Sequence, residues 1–389
     1  MRRARAPFLT ALSLSMLLLS ARVPMAGAAT AGTGWGVQVS PDGGTGTNDL
    51  AGVAAISPND VWAVGTWDTY GDPQQHGYTL LLHWDGSTWT VVPSPDPGIQ
   101  ASEFDAVAAS GANDVWAVGD YIDVGEQCPE PGLSAHWNGR RWKVVPSPNP
   151  LGCVNLNSVA AISPHDAWVG GSAFDDGWPG TSEILAEHWD GTAWTVETEG
   201  LPTESIVWGL SADPAGDVWA VGQDLIARWT GTRWQVMGGT PQGDGGPFAI
   251  AAIGPDDVWV VGTHYVHTAA EKAISHTFTE HWDGTSWTVV PSPNAGKVEP
   301  NGSLTAITAA GANDVWAVGS WGRGDTGRTL VLHWNGVRWS IRKSPNPETT
   351  SNYLNAVGVA PGSVGVWAVG AAWAGQLSRD DSLVLYHAG

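Results

Sequence analysis

The chain has 389 residues, of which 42% are hydrophobic and 14% charged, and its formal net charge at pH 7 is −21. Lysine and arginine together number 17 against 38 acidic residues, so the chain lacks the basic face that a nucleic acid partner requires. The acidity is typical of a soluble exported protein, and cation binding is the lesser alternative.

The first 28 residues have the three parts of an export signal. Arginines at positions 2, 3 and 5 form a basic start, residues 8–20 form an apolar run too short to span a bilayer, and residues 26–28 read Ala-Gly-Ala, a cleavage motif. We predict a signal peptide over residues 1–28 and a secreted, monomeric chain with no membrane segment after cleavage. Whether export uses the general or the twin-arginine route stays open.

One string returns seven times after the signal. Its clearest copies read DVWAVG at residues 60–65, 114–119 and 314–319, each followed by HW[DN]GxxW and usually by VPSP. A fixed internal period of this kind indicates stacked supersecondary units, so we number the segments around the shared tryptophan as repeats one to seven. The shared tryptophans are Trp62, Trp116, Trp168, Trp219, Trp259, Trp316 and Trp367.

The sixth repeat shows the strand pattern most clearly. Residues 303–309, 314–321, 329–334 and 338–343 are four β-compatible segments separated by turn or glycine-rich sequences. The Asn-Gly pair between the third and fourth segments is a strong hairpin signal. Four antiparallel strands at this period are typical of one blade of a β-propeller.

The two ends of the chain complement each other. Residues 383–389 align with residues 330–336, so the last repeat lacks a fourth strand, and residues 35–41 match the fourth-strand segment 89–95. We therefore predict an all-β, seven-bladed β-propeller with four antiparallel strands per blade, closed by pairing of the N-terminal strand with the last blade. Residues 29–389 form its single domain.

This layout resembles the kelch and galactose-oxidase-type propellers. The second strand ends in glycine, as in Val64-Gly65, the third in Trp-Asp or Trp-Asn, and the fourth opens with tryptophan and ends in proline. The resemblance covers residues 35–389 and implies a bacterial secreted kelch-like propeller. Most repeats lack the family's glycine doublet, which only Gly170-Gly171 supplies, and no enzyme's active site is matched.

Two repeated side chains suggest a scaffold role. Strand order should bring the histidine of HW beside the aspartate that opens the second strand, and repeat seven loses both, with Gly365 and Tyr386 in their places. A metal site would need these histidines together, but symmetry spreads them around the ring. A hydrogen-bonded His–Asp pair in each blade is the favoured interpretation, and no metal or cofactor is predicted. The repeated tryptophans are predicted to fill the seams between blades.

Alternating strand directions define two faces. The 1–2 and 3–4 turns are short and uniform and form the turn face, whereas the 2–3 and 4–1 connections vary and form the loop face, where binding is expected. Cys128 and Cys153 both fall on the loop face and are predicted to form a disulfide. Aromatic residues of this face either stack on a ligand or cap the blade cores; they are Trp67, Tyr121, Trp178, Tyr265, Trp321 and Trp373. Trp208, on an inner strand, is predicted to be core.

Polar residues at the start of the inner strands form a second candidate site at the central mouth. Glu103 and Asp105 are two residues apart and so share one side of a strand, and Asn157 and Asn355 are tentative ligand contacts of neighbouring inner strands. A solvated channel lining is the alternative interpretation.

Two function classes remain open. The first is a secreted binding or interaction module that uses the loop face, for a carbohydrate or cell-surface ligand. The second is an extracellular carbohydrate-active hydrolase or lyase, which requires carboxylates that converge at the mouth, one with a raised pKa. The binding module is favoured, and enzyme activity is not predicted.

Overall fold

The structure is a computed structural model that describes residues 34–72, 76–123, 130–175, 182–238, 245–267, 273–296, 301–322, 326–373 and 380–389. The predicted signal peptide, Cys128 and Trp178 lie outside the described residues. The named elements of the described part of the chain are all β-strands, and it holds no helix long and apolar enough to cross a membrane.

Twenty-eight strands follow the seven repeats in order. Repeats one and two hold β2 (Asn48–Ser57), β3 (Asp60–Asp68), β4 (Gly77–Trp84), β5 (Trp89–Val91), β6 (Ala101–Gly111), β7 (Asp114–Ile122), β8 (Glu130–Trp137) and β9 (Trp142–Val144). Repeats three and four hold β10 (Cys153–Ser163), β11 (Asp166–Phe174), β12 (Ser182–Trp189), β13 (Trp194–Val196), β14 (Val207–Ala212), β15 (Val218–Gly222), β16 (Leu225–Trp229) and β17 (Trp234–Val236). Repeats five and six hold β18 (Gly245–Gly254), β19 (Asp257–His267), β20 (Ala273–Trp282), β21 (Trp287–Val289), β22 (Ser303–Gly311), β23 (Asp314–Trp321), β24 (Arg328–Trp334) and β25 (Trp339–Arg342). Repeat seven holds β26 (Ser351–Val359), β27 (Val366–Trp373) and β28 (Asp380–His387), and β1 (Trp35–Gln38) precedes repeat one.

The strands of each repeat pair antiparallel in chain order. They form five four-stranded sheets and one eight-stranded sheet, in which a single parallel bridge from Gly77 to Ala101 joins repeats one and two. The N-terminal strand β1 pairs antiparallel with β28, so that Trp35 lies opposite His387 and Gln38 opposite Val384. The predicted pairing of the N-terminal segment with the last repeat is confirmed.

A bulge near the start of each first strand explains the glycine that ends the repeated string. A Cβ added at Gly65 would lie 1.9 Å from the carbonyl oxygen of Asp49, just before the bulge, and the equivalent distance is 1.8 to 2.2 Å in the other six repeats. Any larger residue would push the two strands apart, because the carbonyl is fixed by the bulge. The bulged residues are Ala51, Asp105, Asn157, Trp208, Phe248, Thr305 and Asn355.

Tryptophans fill the seams between the sheets of consecutive repeats, as predicted. The fourth-strand tryptophan of each repeat meets the second-strand tryptophan of the preceding repeat edge to face, for example Trp142 against Trp62 at 5.2 Å and 81°. Trp35 beside β28 packs in the same way on Trp316 of repeat six, and Trp89 of repeat one packs on Trp367 of repeat seven at 5.3 Å and 87°. Edge-to-face pairs of this kind stabilise a core beyond the area they bury.

The predicted His–Asp pairs are present in five repeats. His136 Nε2 lies 2.6 Å from Asp114 Oδ1, and equivalent contacts of 2.8 to 3.0 Å occur in repeats one, three, five and six. In repeat four the pair is Arg228 and Asp217. In repeat seven a Cβ on Gly365 would lie 2.5 Å from the hydroxyl of Tyr386, which therefore occupies the place of the missing carboxylate.

Candidate functional site

The mouth is formed by the bulged ends of the first strands, on the loop face. Three of the bulged side chains bridge to the next repeat: Asn157 Nδ2 donates to the carbonyl of Val207 at 3.0 Å, Thr305 Oγ1 to that of Leu354 at 2.8 Å, and Asn355 Nδ2 to that of Leu50 at 3.0 Å. Asn157 and Asn355 were predicted as ligand contacts, but their amide N–H groups are already used between repeats.

Three carboxylates converge at the mouth in repeat two. Glu103 and Asp105 lie on β6, and Asp120 lies at the end of β7, with one oxygen of each within 4.8 Å of the others. No residue in the described part of the chain donates a hydrogen bond to these carboxylates or forms a salt bridge with them. We call these three residues the acidic cluster, and they are the residues here that could hold a metal ion.

Asp120 is a member of the cluster that the sequence analysis missed. The hairpin between β6 and β7 places it opposite Glu103 in the antiparallel register. Its position follows the repeat glycine, where the other repeats have uncharged residues such as Thr66 and Thr263. An acid at this one position, paired by register with Glu103, was the available signal.

Burial raises the pKa of all three members, and repulsion from neighbouring carboxylates adds to it for Asp105 and Asp120. Burial raises the pKa of Asp120 to about 7, and repulsion from Glu103 adds to the effect. For Asp105, burial and then the charges of Glu103, Asp120 and Asp49 hold the pKa well above its usual range. Burial also raises the pKa of Glu103. Ionisation of all three carboxyls together is therefore unfavourable unless a positive charge compensates for it.

Asp49 lies beside the acidic cluster but is satisfied. The Tyr353 hydroxyl donates to Asp49 Oδ2 at 3.2 Å, and Asn355 Nδ2 donates to Asp49 Oδ1 at 2.9 Å. Burial still raises the pKa of Asp49 to about 6, and the charges of Asp380 and Glu103 contribute. These two donors come from repeat seven, so Asp49 ties repeat seven to repeat one.

The bulge positions of repeats four and five are apolar. Trp208, which the sequence predicted to be core, is 38% exposed, because the bulge turns its side chain out of the sheet interior. Phe248 is the half-buried residue at the equivalent position of β18. The mouth therefore has acidic residues in repeats one and two and aromatic residues in repeats four and five.

Trp67 caps a core. Its ring stacks on Tyr78 at 4.5 Å and 24°, its indole N–H donates to the carbonyl of Thr79 at 3.1 Å, and Gly43 and Gly44 lie against the ring so closely that an added Cβ would fall within 2.6 Å of it. With both sides covered, Trp67 offers no open ring face. This favours the capping interpretation over stacking on a ligand.

The remaining loop-face aromatics differ in exposure. Tyr121 and Trp321 pack as half-buried residues against core clusters, and Trp373, also half-buried, ends β27. Tyr265 is 41% exposed on β19. Trp178 lies outside the described residues, as does Cys128, whose predicted disulfide with the buried Cys153 stays a prediction.

A cleft of about 710 Å³ opens on the loop face between repeats three and four. Its lining includes Glu183, Glu204, Ser205, Ile206 and Gln223. It lies beside the short β15–β16 connection, which contributes Gln223 to its lining.

The turn face is different, because its acids are bonded locally. Asp85 Oδ1 accepts from Ser87 Oγ at 2.7 Å, Ser87 N at 2.8 Å and Thr88 N at 2.9 Å. These bonds, with that from the Ser87 hydroxyl first, lower the pKa of Asp85 to about 2. Asp190 and Asp283 are bonded in the same manner in repeats three and five.

No protein-family model and no curated protein sequence matches the chain. Several solved structures are similar in fold. YCF48 bound to a D1 peptide has a TM-score of 0.54 at 14% identity, over 91% of this chain and 97% of that one. The WD40 β-propeller domain of Doa1 has a TM-score of 0.52 at 13% identity, over 91% and 97%.

The GH74 xyloglucanase from Xanthomonas campestris has a TM-score of 0.54 at 14% identity. The alignment covers 86% of this chain and 53% of the xyloglucanase, so the chain spans about half of that protein's length. At these identities the likenesses show the fold alone. Together with the repeated four-stranded antiparallel sheets, they show that this chain is a β-propeller.

Proposed function

We propose that the chain is a secreted, monomeric, seven-bladed β-propeller that acts as an extracellular binding module. Its ligand contacts the loop face around the mouth, and carbohydrate is the first ligand class to test, ahead of a cell-surface protein. The export signal in residues 1–28 supports secretion, and a Cys128–Cys153 disulfide suits that location.

Contacts between the first and last repeats support seven blades and a closed ring. Trp89 of repeat one packs on Trp367 of repeat seven, and Asn355 of repeat seven donates to Asp49 and Leu50 of repeat one. Each of the seven repeats thus has a partner on both sides. The glycine at the end of the second strand and the tryptophan that opens the fourth support a kelch-like repeat type.

One observation carries the binding function. The carboxylates of the acidic cluster have no intramolecular partner in the described residues, whereas Asp85 and its equivalents on the turn face are bonded to their own turns. Asp120 is only 9% exposed, and a polar group so buried without a partner is costly in a fold, so its presence at the mouth favours the binding of a partner from outside the chain. The exposed ring of Trp208 adds a surface on which a sugar ring could stack.

A glycan and polysaccharide array probed with residues 29–389 tests this function. We expect Trp208→Ala to weaken binding about tenfold, the equivalent of roughly 1.4 kcal/mol, because a stacked ring is lost. The matched control is Val337→Ala, at a turn-face residue that is 79% exposed, and it should leave binding unchanged. Binding lost in Val337→Ala and kept in Trp208→Ala would place the ligand on the wrong face and contradict the proposal.

The hydrolase or lyase remains the second candidate, because carboxylates with raised pKa do converge at the mouth. A catalytic pair needs about 5–5.5 Å between carboxyl groups for retention and about 6.5–9.5 Å for inversion. The closest oxygens of the three carboxylates lie within 4.8 Å of one another, a spacing that a single bound ion can bridge. Turnover of an array ligand, abolished by Glu103→Gln, would replace the binding module with an enzyme.

A further inference from the structure

The spacing of the acidic cluster matches the coordination sphere of one ion. A Ca²⁺ ion binds oxygen ligands at about 2.3–2.6 Å, so two ligands on opposite sides of it are roughly 4.6–5.2 Å apart. The oxygens of Glu103, Asp105 and Asp120 all lie within 4.8 Å of one another. One ion could therefore contact all three without a change of the backbone.

A second observation comes from burial. Asp120 is only 9% exposed and points its carboxylate into the space beside Glu103 and Asp105, and no described residue donates a hydrogen bond to it. A carboxylate so buried needs a positive or donating partner if it is to be ionised at neutral pH. The described residues supply none, so the partner comes from outside the fold.

The third sheet adds an unpaired neutral oxygen. Asn155 Oδ1 on β10 is buried and has no hydrogen-bond partner among the described residues. Thr263 at the Asp120 position of repeat five contacts Ser303, the Asn155 equivalent of repeat six, at 2.5 Å. By the same register, Asn155 of repeat three should contact Asp120 of repeat two, as Ser303 contacts Thr263.

We propose that Glu103, Asp105 and Asp120 bind one Ca²⁺ ion at the mouth, with Asn155 as a neutral oxygen ligand. All these donors are hard oxygens, which suit Ca²⁺ rather than a transition metal that prefers nitrogen or sulfur. Mg²⁺ is less suitable because it demands a small octahedral site. Glu103 is half-buried and leaves one side of the ion open to water or to a ligand hydroxyl.

The ion has a structural consequence. It joins β6, β7 and β10, and its charge offsets the repulsion among the three carboxylates and the nearby Asp49. Asp49 is not among the carboxylates whose oxygens lie within 4.8 Å of one another, and its own oxygens accept from Tyr353 and Asn355. Only the biological role of the ion rests on the proposed function: in a binding module, the ion would coordinate the ligand directly.

Calorimetric titration of the chelator-treated mature protein with CaCl₂ tests the site. We expect one Ca²⁺ per chain, weaker binding of MgCl₂, and a rise in melting temperature with Ca²⁺. Asp105→Asn and Asp120→Asn should each weaken Ca²⁺ binding by at least about tenfold. The control Asp256→Asn removes one negative charge on the turn face and should bind Ca²⁺ as the unaltered protein does.

A loss of Ca²⁺ binding in these variants would not be due to misfolding. An amide in place of a cluster carboxylate removes like-charge repulsion, so each variant should unfold without Ca²⁺ at the same or a higher temperature than the unaltered protein. No heat and no melting shift at millimolar Ca²⁺, or unaltered affinity in Asp120→Asn, overturns the inference. Array binding that persists with chelator in a protein without Ca²⁺ affinity overturns it while leaving the proposed function intact.

Discussion

The turn face and the mouth treat their acidic side chains in opposite ways. On the turn face, Asp85 accepts three local hydrogen bonds, and Asp114 accepts from His136 and Ser110. Burial opposes ionisation of Asp114, but these two donors hold the pKa of its carboxyl below the usual value. At the mouth, Asp105 and Asp120 have no donor among the described residues, and burial raises the pKa of both.

The presence or absence of hydrogen-bond partners distinguishes polar residues that stabilise the fold from those available for binding. Polar residues that recur in most repeats, such as the histidine of HW, have partners inside the same repeat, because each blade must satisfy its own buried groups. Asp120, an acid at a position where the other repeats have uncharged residues, interrupts that pattern and has no hydrogen-bond donor among the described residues. In a repeat protein, an unshared polar residue in a structurally repeated place is therefore the best pointer to binding.

The largest expected effect comes from removing the strand that completes the last sheet. Deleting residues 29–41 removes β1, exposes the edge of β28 and takes away Trp35, which is buried against Trp316. Loss of the buried tryptophan alone should cost about 3–5 kcal/mol, and the open edge favours aggregation. The melting temperature of the truncated protein, compared with that of the protein of residues 29–389, measures the loss of stability. An unchanged melting temperature would show that the fold does not need β1.

A buried carboxyl away from both faces gives the next largest effect. Glu187 on β12 is fully buried and accepts from the Ser147 hydroxyl at 2.9 Å, and burial raises its pKa from 4.5 to about 8. The folded chain therefore keeps a proton that the unfolded chain releases as the pH rises from 4.5 to 8. The stability that this proton provides is complete below pH 4.5 and is lost through pH 8, by roughly 2–5 kcal/mol.

The Glu187→Gln variant isolates this effect, because the amide keeps an oxygen for Ser147 and does not titrate. Urea unfolding at several pH values from 4.5 to 8 should show a steeper decline for the unaltered protein than for the variant. Parallel declines would mean that Glu187 is ionised in the fold. Asp283→Asn, at a fully exposed turn, serves as the control and should not change the slope.

Repetition made most of the fold predictable from the sequence. The strands predicted over residues 314–321 and 329–334 agree with β23 and β24, and the pairing of β1 follows from the aligned chain ends. These inferences depend on local patterns that seven copies reinforce. The His–Asp pair was predictable for the same reason, since repeat seven loses both members together.

The site was less predictable because it depends on contacts between distant residues. Glu103 and Asp105 were identified by spacing, but Asp120 joins them through the hairpin register, and Trp208 is exposed because of a bulge that no local signal marks. The ring of Trp67 is covered by Gly43 and Gly44, which lie more than twenty residues earlier in the chain. Such coverings depend on tertiary packing, which spacing alone does not specify.

A substitution within the mouth sharpens the comparison on a smaller scale. Asn157→Asp replaces the amide that donates to the carbonyl of Val207 with a carboxylate that cannot donate, and so copies the state of Asp105 in the preceding repeat. We expect a loss of about 1–3 kcal/mol in chemical unfolding. Asn157→Ala removes the same donor without adding a charge, so it should cost less. Equal losses in the two variants would show that an added carboxylate is tolerated there, against the comparison drawn above.

The smallest effect is expected on the turn face. Ser87→Ala removes the hydroxyl that donates to Asp85 but leaves the backbone N–H groups of Ser87 and Thr88 in place. The pKa of Asp85 should rise from about 2 toward the ordinary value of 3.8, because its largest stabilising bond is lost. Asp190, which Thr192 supports in the same way in repeat three, provides the internal control and should keep its pKa of about 2. The carboxyl chemical shifts of Asp85 and Asp190, followed by NMR from pH 1.5 to 6, give both pKa values in one sample. Since the turn keeps its backbone hydrogen bonds, we expect Ser87→Ala to bind the ligand and Ca²⁺ with unaltered affinity. A change in either affinity would mean that the turn face and the mouth are energetically coupled.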